Sequence, residues 1–343
     1  MSPQQQPPEG GRLLALIDAF EGRRILVLAD LVADEFLYGR IDRVSREAPV
    51  LILQYDGTDL RLGGGANAVH NLRTLGGRPV PLGVVGQDDH GRRLRALLRE
   101  TGVSVKGVLA DDAYVTPVKT RILAGGVHST KQQVVRIDKA TRLTDQSRAR
   151  RRVRAALRDY RGRVDGVLVS DYGFGLIDAE TVGAAVAFAR KRKVPVTVDS
   201  RFALLGFRGM TAVTPNEPEV EAALGVTIGH DVKRLEAAGR TLLRRLGVQA
   251  ALITRGSDGM ALFEPGRKPQ HIPIYGSDQV ADVTGAGDTV IAAFTLALTA
   301  GATPSEAAYL ANYAGGIVVM KRGTATVSGA ELRRAVSQDP SLA

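Results

Sequence analysis

Gly166-Val-Leu-Val-Ser170, Pro195-Val-Thr-Val-Asp199, Thr211-Ala-Val-Thr214 and Ala250-Ala-Leu-Ile-Thr254 decide the fold. Each is a short, continuous apolar run of the kind that forms a strand buried on both faces. Between them, residues 179–191, 217–224 and 231–246 read as helices, so strand and helix alternate as in a parallel sheet covered by helices on both sides. Residues 24–29 form a further buried strand that ends at Asp30. Several of these runs end on polar residues, Ser170-Asp171, Asp199-Ser200 and Thr214-Pro-Asn216. The carboxyl ends of strands are where open α/β sheets bind ligands, so that edge is expected to hold the active site.

Outside this block the pattern is mixed. Residues 13–20 read as an amphipathic helix, 67–75 and 91–101 as helices, and 50–55, 115–124 and 132–137 as exposed strands that resemble an insertion and not a separate domain. The chain has 343 residues with 44% hydrophobic and 24% charged side chains. That length carries a real core without staples and excludes a small scaffold, wholesale disorder, collagen and coiled coil. It contains no cysteine, which removes disulfide frameworks, cysteine-ligated zinc, iron–sulfur clusters and thiol nucleophiles, and fits a reducing compartment. Residues 1–11 are Pro/Gln-rich, unlike a signal peptide, and no stretch is long and apolar enough to span a bilayer. A cytoplasmic protein is expected.

The net charge of +10 suits anionic ligands. The basic run Arg148, Arg150, Arg151, Arg152 and Arg154 lies on an expected helix, residues 149–160, and reads as a solvated face. Without an aromatic stacking platform or nucleic-acid motif, no nucleic-acid partner is expected.

The chemistry concentrates in Asp282-Val-Thr-Gly-Ala-Gly-Asp288-Thr289, which precedes an apolar helix, residues 290–299. Gly285, Ala286 and Gly287 let the backbone approach a ligand, and free amides at a helix start attract phosphate or a developing oxyanion. Asp288 admits two readings from spacing alone: a helix cap after a glycine turn, or a general base beside amides that stabilise a transferring phosphoryl group. There is no GxxxxGK[ST] or GxGxxG stretch to compete with the second.

DVTGAGDT is similar to the second signature of the ribokinase-like (PfkB) carbohydrate kinases, and Gly63-Gly64-Gly65-Ala66-Asn67 resembles the first, the two standing in family order. The resemblance runs from about Arg24 to Val327 and implies a ribokinase-like three-layer α/β/α sandwich with a mostly parallel central sheet and a small β-sheet lid. It implies a single kinase domain over 12–335, lid strands near 36–62 and 113–138, and tails at 1–11 and 336–343. It makes Asp288 the catalytic base and Gly285, Ala286 and Gly287 the anion hole. Asn216-Glu217-Pro218-Glu219 resembles the N-x-x-E motif, whose Asn216 and Glu219 organise Mg2+ and the triphosphate of ATP through water, as suits a hard cation. Thr254 and Gly256 resemble the nucleotide turn, and Asn312 the adenine-side asparagine. Asp282 and Thr284 are candidates for a monovalent-cation site, with K+ the candidate ion. Asp34 matches the sugar-hydroxyl acceptor, with Gly64 and Asn67 bordering the same pocket; Asp30 reads as a turn former. The first signature is one residue shorter than the GGxGAN of ribokinases, which counts against ribose.

Within the family, Ala29-Asp30-Leu-Val-Ala-Asp34, Ser45-Arg-Glu-Ala-Pro-Val50, Gln132-Gln133-Val-Val-Arg136-Ile-Asp138, Ser170-Asp171-Tyr172 and Gly323-Thr-Ala-Thr-Val-Ser328 together resemble the kinase half of the ADP-heptose pathway enzymes. This implies D-glycero-β-D-manno-heptose 7-phosphate as substrate and its 1,7-bisphosphate as product. The phosphate needs a cationic grip; the candidates are Lys119, Arg121, Lys131 and Arg136, with Arg121 and Arg136 preferred. Asp171 and Asp199 are candidates to position sugar or magnesium water, or else to form turns. The chain ends at Ala343, which reads as a stand-alone kinase. Exposed lid strands leave a sheet edge to cover, and by resemblance two lids pair in a homodimer. The rival readings are a family kinase for another sugar, sugar phosphate or nucleoside, and a non-catalytic nucleotide- or sugar-binding module.

Overall fold

Strand pleating explains the main sheet: in residues 24–29, Ile25, Val27 and Ala29 join the apolar core on one side while Leu26 and Leu28 join the core on the other. Such a strand is stable only between two helical layers. The computed structural model describes residues 7–126, 131–276 and 282–342. Among these, the chain runs α1 (Gly10–Asp18), β1 (Arg24–Ala29), β2 (Leu31–Val44), β3 (Leu51–Gly64), α2 (Gly65–Thr74), β4 (Arg78–Gly86), α3 (Asp89–Glu100), β5 (Val108–Asp111), β6 (Val118–Gly125) and β7 (Gln132–Lys139). It continues α4 (Arg148–Asp159), β8 (Gly166–Asp171), α5 (Ala179–Arg192), β9 (Val196–Ser200), β10 (Ala212–Val213), α6 (Glu217–Leu224), α7 (Val232–Leu246), β11 (Ala250–Thr254), β12 (Met260–Phe263) and β13 (Gln270–Ile272). Last come α8 (Ala286–Thr299), α9 (Pro304–Val319) and α10 (Gly329–Ser337).

The main sheet has the order β13-β12-β11-β10-β9-β8-β1-β4-β5. It is parallel from β5 to β11, with β12 and β13 antiparallel at one edge. Helices α1, α2, α8, α9 and α10 supply the core on one face, and α4, α5 and α7 on the other. A second sheet, β3-β2-β6-β7, is the lid. The chain crosses from β1 into the lid at a single residue, Asp30, which fixes the lid over the carboxyl edge of the main sheet. Among the described residues no helix is long and apolar enough to cross a membrane.

Two expectations need correction. The stretch read as N-terminal tail already contains Gly10 and Gly11 of α1, and that read as C-terminal tail contains Val336 and Ser337, the last two residues of α10; residues 1–6 and 343 lie outside the described residues. The basic run of α4 is not a uniformly solvated face. Arg150 and Arg154 are buried, and both pair with Asp178 at 3.1 and 2.5 Å, while Arg154 also holds Glu180 and the Thr181 hydroxyl. These two side chains fasten α4 to the start of α5; buried guanidinium groups persist only where they are so paired.

Candidate active site

Asp288 is built into the first turn of α8, where helix amides lack intrahelical acceptors. Gly285 caps that helix at φ 81, and a Cβ there would lie 2.5 Å from the Asn67 side-chain nitrogen. Both the positive φ and the close approach require glycine. Asn67, in α2, donates from Nδ2 to the Asp288 Oδ2 at 3.0 Å and to the Gly285 carbonyl at 3.2 Å. Asn71, one turn on, donates to the Asn67 Oδ1 at 3.1 Å, so the amide's orientation is fixed from behind. The Tyr172 hydroxyl donates to the other carboxylate oxygen, Oδ1, at 2.9 Å. The two signatures, far apart in sequence, thus meet on one carboxylate.

Asp288 is only 2% exposed. Burial pushes its carboxyl up to about 7; nearby Asp34 adds to the rise, and the Asn67 and Tyr172 hydrogen bonds and the Lys119 ammonium oppose it. Desolvation disfavours a carboxylate charge, while donors to it favour the charge. A base poised near neutrality is the outcome, suited to taking a proton from a hydroxyl. Burial pushes the Tyr172 hydroxyl well above its ordinary value, which keeps it a donor.

Of the residues expected to form the anion hole, Ala286 is half-buried and Gly287 exposed; the Ala286 amide donates to the Val283 carbonyl at 3.2 Å, so the amides that open to the outside are those that follow it. Beside them, Thr254, Gly256, Asn312, Ala286 and Gly287 share the wall of one largely apolar cavity of about 150 Å³. Asn312 donates to the Pro273 carbonyl at 2.9 Å, which leaves its side-chain oxygen for a ligand. Asn216 and Glu219 form a reciprocal capping box on α6: the Glu219 amide donates to Asn216 Oδ1 at 2.8 Å and the Asn216 amide to Glu219 Oε2 at 2.9 Å. Each keeps one further polar atom. Asn216 also bridges to Thr254, joining the N-x-x-E turn to the turn expected to contact the nucleotide.

Metal fit follows from charge. Among the described residues no cluster of three or more acidic or histidine side chains is close enough to ligate a metal directly. Yet Glu219 and Asp199 crowd one another: burial and then the Glu219 charge push Asp199 well above its ordinary value, and burial raises Glu219 too. Arg201 offsets part of that charge, and two crowded carboxylates suit a hydrated hard cation. Asp282 accepts from the Thr284 amide at 2.9 Å and the Gly323 amide at 3.0 Å, so its oxygens are already engaged in holding two loops together.

On the lid side, Asp34 is buried; it accepts from Arg121 Nη1 and from the Thr324 hydroxyl, each at 2.7 Å. Gly63 makes room for it, since a Cβ there would lie 2.5 Å from the Asp34 carboxyl carbon. Gly64 caps α2 between Val32 and Tyr172. Arg121, expected to grip a substrate phosphate, is instead paired with Asp34 and lies 5.4 Å above the Phe36 ring. Arg136, expected beside it, pairs across β6–β7 with Arg121 but is exposed and engages Asp138 at 2.8 Å. Lys131 pairs with Asp56, away from Asp34. Lys119 stands apart: its ammonium lies 4.7 Å above the Tyr172 ring, and burial followed by the Arg201 charge holds it below its ordinary value. Asp171 spends its oxygens on the Gly173 amide at 2.9 Å and the Ser200 hydroxyl at 2.6 Å, a turn former.

Sequence reasoning assigned no role to Tyr172 or Thr324, although both lie in quoted segments, and it passed over Arg201. The available signal was position: Tyr172 and Arg201 follow the carboxyl ends of β8 and β9, where sheet ligands bind.

Comparison with known proteins agrees with this geometry. A family model described as pfkB family carbohydrate kinase matches residues 31–330. A protein of Pelobacter propionicus named Bifunctional protein HldE is 39% identical over 313 residues, covering 91% of this chain and 63% of that protein. Its namesake in Geobacter metallireducens is 42% identical over 308 residues, covering 90% and 61%. The chain therefore spans less than two thirds of these relatives. Among solved structures, Arabidopsis thaliana ribokinase complexed with ribose and ATP superposes with a TM-score of 0.70 at 20% identity, covering 93% of this chain and 100% of that one. Escherichia coli phosphofructokinase-2 in complex with potassium gives 0.71 at 18%, covering 92% and 98%. At such identities the structures speak to the fold, which is ribokinase-like. The chain belongs to the pfkB family of carbohydrate kinases and is a phosphotransferase that acts on a sugar hydroxyl.

Proposed function

We propose that this kinase transfers the γ-phosphoryl of ATP to the anomeric hydroxyl of D-glycero-β-D-manno-heptose 7-phosphate, giving the 1,7-bisphosphate, in the cytoplasm. The observation that carries the transfer is the buried Asp288 carboxylate, poised near neutrality at the open amides of α8. Asp288 takes the proton of the attacking hydroxyl, and the amides of Gly285 to Asp288 hold the equatorial oxygens of the phosphoryl group in flight. Asn216 and Glu219 would hold a magnesium ion through water, whose charge offsets that of the triphosphate. Thr254, Gly256 and Asn312 seat the nucleotide, and Asp282 and Thr284 border the proposed monovalent-cation site. Asp34, oriented by Arg121 and Thr324, accepts from a sugar hydroxyl.

The heptose assignment is supported by the five segments that resemble the kinase half of the ADP-heptose enzymes, and by the relatives named HldE. Lys119, which faces Asp34 and Asp288, and Arg201, which faces Asp199, are the candidate partners of the 7-phosphate in place of Arg121, which pairs with Asp34, and Arg136, which pairs with Asp138. For assembly, one lid face carries Leu37, Ile122, Val135 and Ile137 beside the Glu35–Thr120 pair, with Val135 and Ile137 exposed at 48% and 53%. Burying it against a second lid would remove that surface from water, which supports a homodimer; light scattering at micromolar concentration should give twice the chain mass.

The test is ADP release with ATP and magnesium against free sugars, hexose phosphates, nucleosides, and sedoheptulose and heptose 7-phosphates, with the product's phosphorylated carbon read by phosphorus NMR. Turnover confined to the heptose 7-phosphate, with a new phosphate on the anomeric carbon, is expected. Efficient turnover of another acceptor alone would overturn the sugar assignment and leave the kinase.

A further inference from the structure

We propose that Tyr172 is a positioning residue for the reaction, its hydroxyl fixing the plane of the Asp288 carboxylate and holding that carboxylate ready in its charged form. The inference rests on the reading of Asp288 as the base. It begins with geometry. Asn67 occupies Oδ2 and Tyr172 occupies Oδ1, so both oxygens are pinned and each keeps one lone pair for a substrate proton. A carboxylate held by one donor alone is free to swing about it.

The tyrosine is held by more than its own hydrogen bond. Asp30 Oδ2 accepts from the backbone amides of Tyr172 and Phe174, each at 3.0 Å, and Asp171 accepts from the amide of Gly173 between them. Three successive amides of one turn are thus fixed by two buried carboxylates, and Asp30 sits where β1 hands the chain to the lid. From above, the Lys119 ammonium of β6 lies over the phenol ring, a cation–π contact that binds lid to turn. Such fixation from two elements is more than packing of a tyrosine requires, and it aims the hydroxyl at one atom.

The charged and titratable groups facing Asp288 are Asp34 from β2, Lys119 from β6, Asp199 from β9 and Tyr172 itself. Asp34 opposes ionisation of Asp288, while Lys119 and the two hydrogen-bond donors favour it. Removing the Tyr172 hydroxyl therefore raises the pH at which Asp288 ionises.

The experiment is the pH profile of kcat/KM for Tyr172→Phe, which reports the ionisation of the free enzyme. The acid limb should move upward by about one pH unit, so that the loss is about tenfold at pH 6 and fades above pH 9. A tyrosine that only fills space would lower kcat/KM by one factor at every pH, or not at all; an unmoved limb overturns the proposal. Fluorotyrosine at position 172, which keeps the ring and donates more strongly, should move the limb downward, and an unmoved limb there overturns it even if the phenylalanine variant does not fold. Asp288→Asn separates the two claims. Near-normal turnover in that variant sinks the base itself, whereas a dead Asp288→Asn with an unmoved Tyr172 limb sinks only the positioning role.

Discussion

Replacing Gly285 with alanine tests how the two signatures cooperate. The backbone there sits at φ 81 and the new methyl would stand 2.5 Å from the Asn67 amide nitrogen and 3.3 Å from Thr324 Cγ2. Two costs follow. The left-handed conformation costs an alanine about 1–2 kcal/mol, and Asn67 must withdraw from Asp288. A hydrogen bond to a charged group contributes about 1.5–3 kcal/mol, so its loss from the base should lower kcat by about 10- to 150-fold. Gly247 is the control. It ends α7 at φ 64, and a methyl added there would meet nothing within 4 Å, so Gly247→Ala should carry the backbone cost alone. Urea unfolding should show both variants destabilised, while steady-state ADP release should show the kcat loss only for Gly285→Ala. If Gly285→Ala kept kcat within twofold of the parent while losing stability like Gly247→Ala, the claim that Gly285 protects the Asn67–Asp288 contact would be wrong.

Glu219→Gln should preserve the α6 capping box, because a glutamine oxygen also accepts from the Asn216 amide, yet remove the charge; the magnesium concentration for half-maximal activity should rise several-fold with the unfolding midpoint unchanged. Arg121→Ala leaves Asp34 buried without its cation, so it should cost about 3–5 kcal/mol by urea unfolding and raise KM for the sugar far more than for ATP. Burial, then the Asp171 charge, pushes Asp30 from 3.8 up to about 7, so the folded chain holds a proton there that the unfolded chain has lost. That contribution is present below about pH 4 and disappears as pH rises through 7. Asp30→Asn has no such loss: its stability relative to the parent should improve by a few kcal/mol between pH 4 and pH 8, and a pH-independent difference would count against the assignment.

The buried sheet was legible because parallel strands read as unbroken apolar runs, and residues 166–171, 196–200 and 250–254 announce themselves. Strand β4 did not, since Pro79 and Pro81 argue against a central strand. The structure accommodates them through parity. The Gly83 amide donates toward β5, to Gly107 O, and Pro79 and Pro81 face the same side two and four residues earlier, before β5 begins to pair at Gly83. Their missing donors cost nothing there. Strand β2 was equally hard to read, because Asp34, Phe36 and Tyr38 on one face meet Arg121, Arg61 and Lys131 and not the apolar core. At the site, Asp288, Asn67 and Asp34 were legible through spacing and resemblance. The partners of Asp34 were not, because Arg121 reaches it only through the pairing of β2 with β6 and Thr324 only through the loop between α9 and α10. Charge alone made Arg121 and Arg136 look equivalent; burial of one and exposure of the other distinguishes them.

The most direct test of the account is single-turnover phosphoryl transfer from ATP to heptose 7-phosphate by Asp288→Asn, with nucleotide affinity measured on the same sample. Nucleotide binding within a fewfold of the parent and transfer slower by several orders of magnitude are expected. Transfer at a rate near the parent's would contradict it, because the buried carboxylate at the start of α8 would then not be the base.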